Sequence, residues 1–233
     1  MIEVRRLSTL AEFSEAVKLQ RAVWGFADEE LVPLALFVVS SHIGGQVLGA
    51  FQGGEMAGFC LAVPGIKPDG SPFLHSHMLG VLEAHRNRGV GLRLKLEQRA
   101  DALARGIHLI EWTFDPLELK NAYFNIARLG AIVRRYQENE YGITASPLHG
   151  VLPTDRCVAE WRIVSPRVEG IPIEERIAVP VAISRWRQEN PARAREIQRA
   201  NAARFRASFA KGLAVIGFER GNEEGLYLLG RWP

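Results

Sequence analysis

The apolar pattern of the chain predicts an α/β protein built on a mixed sheet. Short runs with the alternation typical of strands recur along the chain, stretches with a helical period come between them, and no segment repeats at a fixed interval. Of the 233 residues, 47% are hydrophobic and 24% are charged, which is the composition of a folded globular protein. This length suffices for one large domain, or for one domain that carries an extension.

The first third of the chain predicts a strand, two helices and three further strands. Residues 2–4 alternate apolar and charged side chains as a strand does, and Ser8 or Thr9 is placed to cap the first helix. Gly53-Gly54 predicts a tight hairpin, because such turns need positive φ. The other elements predicted here are a helix over residues 31–40, strands over 47–51 and 56–63, and a strand over 73–82.

From residue 83 to residue 164 the pattern alternates between helix and strand. A helix is predicted to end at Gly106, where a C-terminal cap is expected, and Gly130 closes a second, short helix over residues 121–129. The apolar stripe of the longer helix is Leu92, Leu96, Ala100 and Leu103. Strands are predicted over 107–114, from residue 131 onward and over 157–164, and we assign residues 1–165 to one domain.

The composition changes at Pro166, and residues 166–233 are predicted to form a small extension. Pro166, Pro172 and Pro180 indicate an irregular connection, after which Asn190-Pro191 opens a basic helix with a cap followed by proline. A hairpin around Gly221-Asn222 is predicted to end the chain. A segment of this size rarely folds alone, so we expect it to pack on the main domain, and its hairpin offers an edge for a homodimer.

Composition also excludes several classes of protein. Cys60 and Cys157 are too few for a disulfide framework or a cysteine-rich zinc site. The first residues lack the apolar core of a signal peptide, and the longest apolar stretch contains Pro33 and is too short to span a bilayer. The net charge of +3 is too small to indicate a nucleic-acid-binding protein. We therefore expect a cytoplasmic protein with neither a membrane nor a nucleic acid as partner.

The segment Arg86-Asn87-Arg88-Gly89-Val90-Gly91 lies between a predicted strand and a predicted helix. The N-terminus of a helix offers free N–H groups and a partial positive charge, glycines allow a phosphate to approach the backbone, and arginines add charge. The segment therefore predicts an anion site, although an ordinary glycine turn with solvated arginines fits the same residues. Neither the third glycine of a dinucleotide fingerprint nor the Gly-Lys-Ser/Thr of a P-loop is present.

This segment resembles the pyrophosphate loop of the GNAT superfamily of acyl-CoA N-acyltransferases, Arg/Gln-x-x-Gly-x-Gly/Ala. The predicted order of strands and helices from residue 2 to about residue 164 is also similar to the GNAT fold. The resemblance implies acetyl-CoA or another acyl-CoA as co-substrate, with no metal. It implies that the pyrophosphate is held at Arg86, Asn87, Arg88, Gly89, Val90 and Gly91, the pantetheine arm at Leu79 and Val81, and the other side of the cofactor at Asn121 and Asn125.

The family's proton donor to the departing thiolate is missing from its usual place. Many members carry a tyrosine four residues before the glycine that corresponds to Gly130, and here that position is Ile126. Tyr123 lies three residues earlier, on about the same helix face, and could replace it. Tyr123 could equally be a packing aromatic, in which case water would protonate the thiolate.

Titratable residues near the loop are candidates for the base that deprotonates the acceptor amine. The family often uses a glutamate on the strand before the loop, and His75 stands at about that position. His77 lies nearby, and either histidine titrates close to neutral pH. Alternation along the strand places His75 and His77 on the same face as Leu79 and Val81. Glu111 on the next strand is the competing candidate, and one histidine could be a purely structural residue. A His-x-His pair is also half of a zinc site, but no third ligand is evident.

The resemblance predicts an N-acyltransferase whose acceptor, the amine of a small molecule or peptide, attacks the thioester directly. Acetyl is the expected acyl group, and succinyl or another group is the alternative. Asp28-Glu29-Glu30 lies in a loop that helps to form the acceptor site in the family. The rival hypothesis is a catalytically inactive module that binds coenzyme A, or nucleic acid through the arginines of the late helix.

Overall fold

The computed structural model describes residues 2–142, 152–164 and 169–233. The chain divides into two compact units, Met1–Glu111 and Trp112–Pro233. Among the described residues, every helix is too short or too polar to cross a membrane. The predicted domain boundary at residues 165 and 166, including Pro166, lies outside the described residues and stays a prediction.

The first unit is a mixed sheet with helices on both faces. Its strands follow the order β1-β2-β3-β4-β5, and neighbours are antiparallel except for the parallel pair β4 and β5. The elements are β1 (Ile2–Arg6), α1 (Leu10–Trp24), α2 (Leu34–His42), β2 (Gln46–Gln52), β3 (Glu55–Ile66), β4 (Pro72–Val81), α3 (Val90–Ala104) and β5 (Leu109–Phe114), whose last residues belong to the second unit.

These elements confirm the predicted fold class, with differences at their ends. The hairpin glycines Gly53 and Gly54 have φ of 63° and 88°, as a tight turn between β2 and β3 requires. Helix α2 begins at Leu34 rather than at residue 31, because Pro33 stays extended and serves as its N-cap.

Two apolar clusters fix the sheet of the first unit. One joins α1 and α2 to the strands through residues such as Phe13, Phe37, Phe59 and Met78. The other joins α3 to the strands through Leu48, Cys60, Val90 and Leu94. Neighbouring strand residues such as Phe59 and Cys60 divide between the clusters, so the clusters lie on opposite faces of the sheet.

Helix α1 begins with a complete capping box. The Thr9 hydroxyl accepts a hydrogen bond from the Glu12 backbone N–H at 3.2 Å, and the Glu12 carboxylate accepts from the backbone N–H groups of Ser8 and Thr9 at 2.8 and 3.1 Å. The Ser8 bond, followed by Arg5, lowers the pKa of Glu12 to about 2. The box therefore satisfies donors that the helix leaves open and fixes where α1 starts.

Thr9→Ala is expected to reduce the free energy of unfolding by about 1 kcal/mol, because the first turn of α1 loses a hydrogen-bond acceptor. Urea unfolding followed by circular dichroism measures the change. Ser8→Ala is the matched control one residue earlier, and equal stability of the two variants would contradict the assignment of Thr9 as the cap.

The described residues of the second unit form a second set of strands, in the order β7-β6-β9-β10-β8, with three helices. Its elements are α4 (Leu119–Ala122), which continues as a π-helix over Tyr123–Arg128, β6 (Ile132–Gln137), β7 (Arg156–Arg162), β8 (Glu175–Pro180), α5 (Ile183–Glu189), α6 (Pro191–Ala210), β9 (Ala214–Arg220) and β10 (Glu224–Gly230).

The C-terminal segment packs on preceding residues of this unit. Strand β9 pairs with β6 at Val133 and Val215, and Phe205 of α6 stacks on Tyr136 with ring centroids 5.5 Å apart. The predicted edge for a dimer was wrong: within the described residues the terminal hairpin lies between β6 and β8, so neither of its strands is an edge.

The irregular connection predicted around the prolines was partly wrong. Residues 175–189 form β8 and α5, and Pro180 is the last residue of β8. Strand β8 ends the strand order, and among the residues that the structure describes it pairs with β10 alone. Proline is tolerated on such an edge strand, because its missing N–H is not needed for a second ladder.

Candidate functional site

The loop between β4 and α3 turns sharply into the helix. Asn87 and Gly89 have φ of 59° and 79°, in the left-handed region that favours asparagine and glycine. Val90, the first residue of α3, is buried against Cys60 and Leu94. Val90, which lies between Gly89 and Gly91, therefore anchors the end of the loop to the sheet.

The start of α3 offers a set of open backbone donors. The first hydrogen bond of the helix runs from the Arg93 N–H to the Gly89 carbonyl at 3.0 Å. Among the described hydrogen bonds, none uses the backbone N–H groups of residues 87–92, and the first turn of α3 contains no acidic side chain. Open N–H groups and the positive end of the helix dipole together suit a phosphate group.

The two arginines of the loop have different surroundings. Arg86 donates from Nε to the Val81 carbonyl at 3.2 Å and from Nη2 to the Val23 carbonyl at 3.3 Å. Its side chain thus ties the loop to the ends of β4 and α1. Arg88 is exposed, so its charge faces solvent at the place where an anion would approach.

Strand β4 contains a β-bulge at His77. Ser76 pairs with Ala62, whereas Met78 pairs with Leu61, so His77 is an extra residue on β4. A bulge leaves the extra residue out of the regular ladder and redirects the side chains around it.

The bulge overturns the prediction that His75, His77, Leu79 and Val81 share one face. Leu79 and Val81 pack with the α3 cluster, and the Ser76 hydroxyl also faces α3. Alternation then places His75 on the opposite face. The His75 and His77 ring centroids are 6.1 Å apart, which keeps the two histidines together.

Within the described part of the chain, strand β4 leaves part of one edge unpaired. Its pairing with β5 consists of Leu74 with Ile110 and His75 with Glu111, and β4 continues to Val81 beyond these pairs. The backbone groups on this edge from Ser76 to Val81 take no part in that ladder. An extended ligand could therefore bind there as an added strand does.

The three candidate bases differ in their environment. Burial lowers the pKa of His75, the positive charges of His77, Lys95 and Lys67 lower it further, and Glu111 opposes them. Burial also lowers the pKa of His77. Both histidines are therefore neutral at neutral pH and able to accept a proton.

Glu111 is a less suitable base than the histidines. Only 4% of its surface is exposed, and its carboxylate accepts a hydrogen bond and ion pair from Lys67 Nζ at 2.6 Å. The Lys67 ammonium also lies 4.3 Å from the centroid of the Phe73 ring. An oxygen already held by an ammonium is a poor proton acceptor.

A buried lysine on α3 was missed by the sequence analysis. The buried stripe of α3 is Val90, Leu94, Lys95, Gln98 and Ala102. The predicted stripe was wrong, since Leu96 is 47% exposed. Lys95 is 2% exposed and donates from Nζ to the Ser76 hydroxyl at 2.8 Å and to Gln98 Oε1 at 3.0 Å. The sequence indicates the burial of Lys95 only through the spacing of Lys95 and Gln98 from the apolar Leu94.

The remaining predicted residues belong to the second unit. Asn121 is exposed on α4, and Asn125 is buried in the π-helix that follows. Tyr123 is half-buried, with the Arg220 guanidinium 4.9 Å from its ring centroid. Ile126 is fully buried. A π-helix turn is itself frequent at functional sites.

The fold and the loop combine a mixed sheet with a strand-to-helix turn whose backbone N–H groups are open among the described hydrogen bonds. Residues 12–124 match the family model described as Acetyltransferase (GNAT) family. No curated protein matches the chain. This match covers just under half of the chain and supports its assignment to the GNAT superfamily.

Solved structures share the fold at low sequence identity. The ribosomal-protein-S18-alanine N-acetyltransferase from Escherichia coli matches with a TM-score of 0.56 and 16% identity, over 74% of this chain and 99% of its own. YncA from Salmonella typhimurium, solved with acetyl-CoA, matches with a TM-score of 0.55 and 15% identity, over 73% and 98%. Naa50 from Arabidopsis thaliana, in complex with a bisubstrate analogue, matches with a TM-score of 0.53 and 13% identity, over 68% and 97%. Family and fold thus support an acyl-CoA N-acetyltransferase activity in general terms.

Proposed function

We propose that the protein transfers an acyl group, acetyl by default, from acyl-CoA to the amine of a small molecule or peptide. The observation that carries this proposal is the β4–α3 turn of a GNAT protein with the N–H groups of residues 87–92 open. Succinyl or another acyl group remains the alternative donor.

In this proposal the donor lies along β4 and ends at the loop. The backbone N–H groups of residues 88–91 bind the pyrophosphate, and Arg88 adds charge. The pantetheine arm pairs with the open edge of β4 at Leu79 to Val81. Asn121 and Asn125 are further proposed cofactor-binding residues, a role that rests on the family resemblance.

The acceptor amine attacks the thioester carbonyl carbon directly. His75 or His77 takes the proton from the amine nitrogen as the C–N bond forms. The backbone N–H groups at the bulge of β4 polarise the carbonyl oxygen of the thioester. The C–S bond then breaks, and the departing thiolate takes a proton from Tyr123 or from water.

An acyl-enzyme is not part of the proposal, because neither cysteine is available as a nucleophile. Cys60 and Cys157 are fully buried. Burial raises the pKa of both thiols, so neither forms a thiolate readily at neutral pH.

A module that binds coenzyme A without catalysis is the second candidate. The observation in its favour is Ile126, whose buried side chain cannot donate a proton. Its nucleic-acid version has less support, because arginines of α6 already have partners: Arg193 stacks on Trp186 at 3.8 Å, and Arg206 pairs with Glu138.

A thermal-shift screen followed by an amine screen tests the proposal. A ligand at 100 times its Kd stabilises by about 2.7 kcal/mol, which raises the melting temperature by roughly 5–10 °C for a chain of this size. We expect such a shift with acetyl-CoA, and release of free thiol when the matching amine is added. Succinyl-CoA and coenzyme A are tested in the same thermal-shift screen. A shift without thiol release for any amine supports the binding module, and no shift with any acyl-CoA overturns both candidates.

A further inference from the structure

A buried arginine of the C-terminal segment joins the two ends of the turn between β5 and α4. Arg187 of α5 is 6% exposed. It donates from Nη2 to the Asp115 carboxylate at 2.6 Å and from Nη1 to the Glu118 carboxylate at 2.8 Å. Asp115 directly follows β5, and Glu118 is the N-cap residue of α4. The arginine therefore links the residue that follows the strand to the residue that precedes the helix.

Other hydrogen bonds fix the middle of the same turn. The Asp115 carboxylate accepts a hydrogen bond from the Leu117 backbone N–H at 2.8 Å. The fully buried Tyr227 of β10 donates from its hydroxyl to the Pro116 carbonyl at 2.6 Å. Each of residues 115–118 thus takes part in a hydrogen bond of this network, and two of the side chains that form it come from the C-terminal segment.

The hairpin of β9 and β10 also packs on the helix that follows the turn. A Cβ atom at Gly225 of β10 would lie only 2.9 Å from Leu119 Cδ2, so the close approach of this strand to α4 depends on glycine. Arg220, the last residue of β9, places its guanidinium 4.9 Å from the centroid of the Tyr123 ring. The C-terminal segment therefore contacts the turn, α4 and the start of the π-helix.

These contacts connect two parts of the chain that differ in their relation to the family. The segment that matches the family, residues 12–124, includes the turn and α4. The side chains that hold them lie beyond this segment. Since the planar guanidinium of arginine donates to two carboxylates in one fixed geometry, its bridge sets where α4 starts and how it is turned. Asn121 and Asn125 lie on this helix and its π-helical continuation, so their placement depends on the bridge.

We propose that Arg187 is a positioning residue for the binding of acyl-CoA: it fixes the turn before α4, and through that turn it places Asn121 and Asn125. The inference rests on the proposed function for the role of the two asparagines. Its statement about the turn and the helix stands without a ligand. A helix that is already in place spares the ligand the cost of ordering it, which strengthens binding.

Arg187→Lys tests the proposal. Lysine keeps the buried positive charge, so neither carboxylate loses its counter-charge, but a single ammonium does not reproduce the two-sided contact of the guanidinium. We expect faster hydrogen exchange of the Ala122 amide, whose bond to the Glu118 carbonyl at 2.9 Å is the first of α4. The Kd and KM for acetyl-CoA should rise roughly 2–30-fold, and the rise in KM should exceed the change in kcat.

Tyr227→Phe is the second variant. It removes the hydroxyl that donates to the Pro116 carbonyl and leaves the ion pairs of Arg187 in place. We expect the same two changes, in exchange at Ala122 and in Kd, with a smaller size. This variant keeps the packing of the aromatic ring, so it tests the turn even where Arg187→Lys does not fold.

Glu175→Ala is the matched control in the same C-terminal segment. Glu175 of β8 accepts hydrogen bonds from Ser208 Oγ at 2.5 Å and from Lys211 Nζ at 2.7 Å, and none of these groups belongs to the turn or to α4. The control should lose stability while its KM for acetyl-CoA and its exchange at Ala122 stay at wild-type values.

A double variant separates positioning from a general loss of stability. If Arg187 acts through the helix, Arg187→Lys should raise Kd by a smaller factor in a protein that already contains Asn121→Ala. Fully additive changes in binding free energy overturn the inference, as does a rise in KM of equal size in Glu175→Ala. An unchanged Kd, or an unchanged exchange rate at Ala122, in both Arg187→Lys and Tyr227→Phe overturns it too. Failure of the wild-type protein to bind any acyl-CoA contradicts the proposed function instead, and faster exchange in the variants would leave the effect of Arg187 on α4 in place.

Discussion

His75→Ala is expected to lower kcat for acetyl transfer by about 10²–10⁴-fold, the usual contribution of a positioned general base. Binding of acetyl-CoA should be unchanged, because the loop that we propose to bind the pyrophosphate lies beyond the far end of β4. Steady-state kinetics at saturating donor measure kcat, and calorimetric titration with acetyl-CoA measures the binding affinity.

The pH dependence distinguishes His75 from the other candidates. A base must be unprotonated to act, and the pKa of His75 lies below its usual 6.5. Wild-type kcat/KM should therefore be at its plateau at pH 7 and fall only as pH drops below that of an ordinary histidine. This acid limb should be lost in His75→Ala.

An exposed histidine provides the control for this experiment. His42 lies at the end of α2, and His42→Ala should keep wild-type kinetics. Wild-type turnover in His75→Ala, with loss in His77→Ala, would make His77 the base. Retention of turnover in both variants would leave Glu111 or water in that role.

Sequence predicted the fold where the controlling interactions are local. Gly53-Gly54 and Asn190-Pro191 set a turn and a helix start through their own backbone preferences, and both stand where they were expected. Strand β8 could not be predicted in this way. Its pairing with β10 depends on residues 44 to 54 positions later in the chain, whereas Pro180 by itself indicates a break.

The same distinction applies to the candidate site. The loop could be predicted because its glycines and the helix start are adjacent in sequence. The bulge could not, since it exists only in the register of β4 against β3, and a shift of one residue changes the face of Leu79 and Val81. Lys95 was missed because a buried stripe containing Lys95 and Gln98 looks like the polar face of a helix.

Asn87→Asp is expected to weaken acetyl-CoA binding by about 10–100-fold, since one charge placed near a phosphate is worth about 1–3 kcal/mol. Aspartate has nearly the same shape as asparagine and tolerates the left-handed φ of 59° at this position. The loop should therefore keep its conformation, and only its charge should change. The introduced carboxylate would face the open N–H groups at the start of α3 and repel the pyrophosphate.

Asn87→Gly is the matched control, because glycine also accepts this φ and adds no charge. Calorimetric titration with acetyl-CoA at low and high salt should give a large difference between the two variants at low salt. Screening should reduce that difference at high salt, since the effect is electrostatic. Equal Kd values for Asn87→Asp and Asn87→Gly would mean that the pyrophosphate does not bind at this loop, and the donor would have to be placed elsewhere in the protein.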